Sequence, residues 1–174
     1  MRISGLALAA GLILGSYAVP SAALRPDAAI EPLSLALVES ATDAQAAGDL
    51  DGATGYFESA LAVDPRNRSA FIGLAQIARA QGLPGKAIGF YREALLIEPR
   101  DVGALAGQGE AMAEKGALEL AKQKLADARK FCRDQCPQLA SLELAITKGE
   151  ARRTVSAEAV MPRPVVTTNE GLRN

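Results

Sequence analysis

Residues 48–67 read GDLDGATGYFESALAVDPRN, and residues 82–101 read GLPGKAIGFYREALLIEPRD. Laid over one another at an offset of 34, they align Gly48 with Gly82, Ala53 with Ala87, Ala60 with Ala94, Leu61 with Leu95 and Pro65 with Pro99. Phe57 and Tyr91 share one large apolar position. A third window continues the register with Gly116, Ala121, Leu125 and Ala128. Chance does not hold glycines in step through three windows together with four further positions. The chain contains a tandem repeat.

Each unit has a physical reading. Gly48, Gly82 and Gly116 each close a helical pattern, where the chain needs a residue that tolerates the left-handed region. A second helix follows, and the spacing of Ala53, Phe57 and Ala60 puts them on one stripe. Small Ala side chains let a neighbouring helix approach, and the aromatic ring fills what space remains. Pro65 and Pro99 then stop the second helix before the next unit, and Asn67 and Asp101 are suited to cap the helix that follows.

A 34-residue helix–turn–helix unit with this pattern resembles the tetratricopeptide repeat (TPR) family. The resemblance covers about residues 34–135, as units 34–67, 68–101 and 102–135 within a repeat region of 32–135. The first-helix signature is loose, at Leu37, Phe71 and Leu105 and the residues after them, while the second-helix residues match closely. The third unit carries Arg133 where the family has proline. The fold implied is an all-α TPR solenoid.

A stack of repeats needs its last face covered. Residues 136–148 suit that task, because Leu139, Leu142 and Ile146 form a helical stripe opened by Pro137. Residues 149–174 lose periodicity, carry two prolines and mixed charge, and are expected to be a disordered tail.

The first 23 residues, MRISGLALAAGLILGSYAVPSAA, read as an address. Arg2 precedes an apolar run over about residues 3–19, and Ser21 and Ala23 stand at the small-residue positions that a leader peptidase needs. Cleavage is expected between Ala23 and Leu24, leaving residues 24–31 as a linker. A retained leader would instead anchor the chain in the inner membrane through residues 3–19, although that run is at the short edge of a spanning helix.

The 174 residues carry 19 Lys plus Arg against 20 Asp plus Glu, so there is no basic excess to recommend nucleic acid as a partner. The chain has no His, which removes the commonest general base and metal ligand. Cys132 and Cys136 are the only cysteines, four apart in an exported chain, and read as one structural disulfide at the turn into the cap. The competing reading is a thiol-redox pair, but such motifs usually have two intervening residues rather than three. Gly103, Gly107 and Gly109 lack the preceding strand and the Lys-Ser/Thr ending of a phosphate loop, and suit close helix packing instead. No catalytic residue, cofactor or metal site is expected.

The resemblance implies that the first helices of the units line a concave, protein-binding groove. By register, its residues are Val38, Glu39 and Thr42 in the first unit, Ser69, Ile72, Gln76 and Arg79 in the second, and Ala106, Glu110 and Glu114 in the third. The positions that hold a carboxylate clamp in some relatives are Val38, Thr42, Gly73, Gly103 and Gly107 here, and none carries a donor side chain. The expected ligand is an apolar extended or helical segment of another protein, with a basic residue near Glu110 and Glu114. The expected function is an exported, non-enzymatic adaptor of the bacterial envelope, placed in the periplasm. The alternatives are a membrane-anchored subunit of an envelope assembly and the thiol-redox protein. Self-association is left open by the sequence.

Overall fold

The computed structural model describes residues 30–160, with side chains through Val155. Seven helices and no strand occur among these residues. They are α1 (Pro32–Ala46), α2 (Leu50–Val63), α3 (Arg68–Ala80), α4 (Pro84–Ile97), α5 (Val102–Glu114), α6 (Leu118–Phe131) and α7 (Pro137–Val160). The leader, its Ala23–Leu24 junction, linker residues 24–29 and residues 161–174 lie outside the described residues.

The repeated residues make the repeated joints. Gly48, Gly82 and Gly116 have φ of 82°, 71° and 86°, the left-handed turn that ends the first helix of each unit. At the first of these turns Gly48 N–H donates to Gln45 O at 3.1 Å and Asp49 N–H to Ala44 O at 2.9 Å. Those bonds satisfy carbonyls that the helix end would leave open. Asp49 then caps α2 by accepting from Gly52 N–H at 2.8 Å, and Asp101 caps α5 from Ala104 N–H at 2.8 Å. Helices α2 and α4 end two residues before Pro65 and Pro99.

Neighbouring units interlock ring against glycine. The Phe57 ring of α2 lies on Gly73 of α3, and the Tyr91 ring of α4 lies on Gly107 of α5. Both rings are 2% exposed, so each fills a gap that only a missing side chain leaves open. The buried alanines 53, 60, 87, 94, 121 and 128 let the paired helices approach around these rings.

A second joint ties the start of α1 to the end of α2 and to the residue that caps α3, through polar groups. Asn67 Nδ2 donates to Ser34 Oγ at 2.8 Å, and Ser34 Oγ donates to Ala60 O at 2.8 Å, all in the interior. Asp64, 3% exposed, accepts the backbone N–H of Glu31 at 3.2 Å and of Arg66 at 3.0 Å. The end of the linker is therefore docked, with Ile30 buried beside it.

The odd-numbered helices touch in succession, α1 to α3, α3 to α5 and α5 to α7, while α2, α4 and α6 make no comparable contacts with one another. The layer whose members touch is the inside of the curve. Helix α7 takes the next inner place, resting on both α5 and α6, with Leu142 and Ile146 buried against Ala106, Ala113 and Leu125.

The cap differs from expectation at its far end. A helix ending at residue 148 and a disordered segment from 149 were expected; α7 continues as one helix to Val160. The reason is a missing turn residue. Glu150 stands where Gly48, Gly82 and Gly116 recur, and Gly149 is helical and buried against Leu118. At the near end, a disulfide joins Cys132 to Cys136 across the non-helical loop between α6 and α7, with Cα atoms 6.1 Å apart.

Candidate functional site

The concave face is built by α1, α3, α5 and α7. On α1, Val38 is half-buried, while Glu39 and Thr42 are exposed, the Thr42 hydroxyl donating back to Val38 O at 2.8 Å. On α3, Ser69 and Gln76 are exposed and Ile72 is half-buried. These six residues form an open strip of mixed aliphatic and uncharged polar character, with Glu39 at its first end.

Ala106 does not belong to this surface. It was expected in the groove, but it is 1% exposed, because α7 covers the part of α5 that carries it.

Arg79, Glu110 and Glu114, which register places on one face, are brought into direct contact. The Arg79 guanidinium crosses from α3 to α5, donating from Nη2 to Glu114 Oε1 at 2.6 Å and from Nη1 to Glu110 Oε2. Ser141 Oγ of α7 donates to the other Glu110 oxygen. Burial by itself would lower the Arg79 pKa; the Glu114 hydrogen bond and the two carboxylate charges reverse this and hold it above its ordinary value. Burial also pushes the neighbouring Tyr91 hydroxyl up, with Arg79 pulling against it. The two carboxylates are thus neutralised in part from within. Arg79 supplies from within the chain a basic group that the sequence assigned to a partner, and the two carboxylates share it.

Register reasoning that stopped at three units missed the fourth wall. Leu144 continues the series Thr42, Gln76, Glu110, and Lys148 follows Glu114, each 34 residues on. Together with Ala145 and Arg152 they enclose a pocket of about 230 Å³ over the Arg79–Glu110–Glu114 cluster. The offset that found the repeat was the signal that locates them. No group of acidic or cysteine side chains suited to hold a metal ion occurs among the described residues.

Residues 38–104 match the family model described as the tetratricopeptide repeat. The structure superimposes on the Sgt2 TPR domain from Aspergillus fumigatus with a TM-score of 0.65 and 18% identity, covering 86% of this chain and 96% of that one. The fold is a TPR solenoid. The first TPR of Spaghetti (RPAP3), bound to the HSP90 peptide SRMEEVD, is similar with a TM-score of 0.62 and 18% identity, over 68% of this chain and 96% of that one. A third match is an O-GlcNAc transferase mutant of Thermobaculum terrenum, at a TM-score of 0.61 and 24% identity. It covers 70% of this chain but only 23% of that protein. No curated protein sequence matches the chain. The TPR likeness accounts for the helix pairs, the left-handed glycines and the inner layer; TPR folds of this kind serve as protein-interaction scaffolds.

Proposed function

We propose that this chain is an exported, non-enzymatic TPR adaptor that holds a segment of another envelope protein along its concave face. One observation carries the reading. The inner layer presents Leu144 exposed and Val38 and Ile72 half-buried, each of these two resting on the core with part of its side chain left open. Half-buried aliphatic side chains flanked by polar groups suit a segment that adds apolar contacts and main-chain hydrogen bonds together. A structural neighbour bound to a peptide supports the same use of the fold. The leader-like residues 1–23 and the Cys132–Cys136 disulfide support export to an oxidising compartment, the periplasm.

Ile72→Arg tests the binding surface. The substitution adds a charge at a half-buried position on the inner wall, and binding to the partner recovered from cells should fall at least tenfold while the helical circular dichroism is kept. Undiminished binding by the folded variant would remove the groove from the account. The address is tested separately by the intact mass of the exported protein. Loss of residues 1–23 supports the periplasmic adaptor, and their retention supports the anchored subunit.

A further inference from the structure

The last stretch of the concave face is cationic, and its cations have no ion-pair partner among the described residues. Lys148 and Arg152 lie one helical turn apart on α7, beside the pocket over the Arg79 cluster. Arg152 also borders a second cleft, with Lys115 and Arg153, around the Gly116 turn. Among the described residues none of these four forms an ion pair. Their neighbours do: Lys122 pairs with Glu119 and Glu150, Arg129 with Glu143, and Lys130 with Asp127. The nearby acids are already engaged, Glu110 and Glu114 by Arg79 and Glu150 by Lys122. Glu110 with Glu114, and Glu119 with Glu150, each share a single cation. The four unpaired cations still outnumber the negative charge left over, which leaves this end net positive in a recess, and recessed walls concentrate such a field.

From this geometry we infer that the segment held by the concave face is acidic, with aliphatic residues between its carboxylates. The inference rests on the adaptor reading and gives the ligand its chemistry. A single terminal carboxylate would be gripped by donors converging on one point. Here the cations are spread over two adjoining clefts, and Lys148 and Arg152 stand about 6 Å apart along the helix. That spread matches two side-chain carboxylates on one extended segment. Leu144, 54% exposed on the same stripe as Lys148 and Arg152, offers an aliphatic contact beside them. A protein segment fits better than a bilayer because Lys148 and Arg152 lie on the inner curve of the solenoid, which a flat surface reaches poorly.

Three fluorescein-labelled twelve-residue peptides test this on the mature chain: alternating Leu and Glu, Leu and Gln, and Leu and Lys. The Leu-Glu peptide should bind at least tenfold more tightly than the other two, and less tightly as salt is raised. The double variant Lys148→Glu/Arg152→Glu, both exposed, should lower that binding at least tenfold without moving the unfolding midpoint. Equal binding of the three peptides, no binding of the Leu-Glu peptide, or indifference to the charge reversal would each overturn the inference. So would Arg152-dependent binding to phosphatidylglycerol vesicles in place of the peptide, which would assign the patch to a membrane. Ile72→Arg separates the two levels. If the three peptides bind equally and Ile72→Arg weakens all of them, the groove stands and the acidic preference falls. If Leu-Glu binding ignores Ile72→Arg but needs Arg152, the cationic site stands and the groove reading falls.

Discussion

Gly107 shows how the sign of a substitution is decided by contact. In an open helix, Gly→Ala stabilises by about 1 kcal/mol. At Gly107 a methyl group would fall within the Tyr91 ring, whereas at Gly55 of α2 nothing lies within 4 Å. Overpacking costs about 1–3 kcal/mol. Gly107→Ala should therefore lower the urea midpoint and Gly55→Ala should raise it; a rise in both would refute the ring-on-glycine joint. Asp64 offers a prediction in pH. Its carboxyl is held below the usual range by the Arg66 N–H, against the opposing effect of burial, and with help from the Glu31 N–H and the Arg66 guanidinium. A depressed folded pKa means the contribution is complete above the unfolded value, about 4, and is lost as the pH falls through the folded one. Asp64→Ala should cost about 1–3 kcal/mol at pH 7 by leaving N–H groups unsatisfied, and the gap to the parent should narrow toward pH 2. A gap that widens in acid would contradict the assignment. The glycines and caps were legible in the sequence because the repeat prints them. Asp64 was not, since its partner Glu31 is 33 residues away.

At the scale of helices, the repeat register located six helices and the start of α7, because glycine, the alanine stripe and, in the first two units, proline mark the joints. The end of α7 was harder to read. Residues 150–153, Glu-Ala-Arg-Arg, are strong helix formers without an apolar stripe, so amphipathicity gave no sign of the helix they continue. The informative signal was negative, the absence of glycine at position 150. The disulfide sits at the other end of this helix, where Arg133 replaces the repeat's proline. Closing so short a loop restricts the unfolded chain by about 2 kcal/mol. Cys132→Ser/Cys136→Ser should lose about that much, measured by urea unfolding, with the groove still able to bind. Loss of partner binding at unchanged stability would instead point to a thiol role.

For the whole molecule, curvature turns the repeat into a surface. The inner helices touch in succession and the outer ones make no comparable contacts, which brings Thr42, Gln76 and Leu144 of separate units onto one face. Register located most of these positions, yet it missed what crosses between helices. It gave no sign that α7 would cover Ala106, or that Arg79 would span α3 and α5 to occupy both Glu110 and Glu114. Those are matters of side-chain reach between elements, which a periodic pattern does not encode. They change the electrostatics of the face, moving its open charge from the carboxylates of α5 to the cations of α7. The claim that this face is the working surface is tested most directly by photocrosslinking in cells. A photoreactive residue at Gln76, exposed on the inner helix α3, is compared with one at Arg92, exposed on the outer helix α4. The account predicts a dominant adduct to one other protein from Gln76 and none from Arg92. Equal adducts from both positions, or adducts from Arg92 alone, would contradict it.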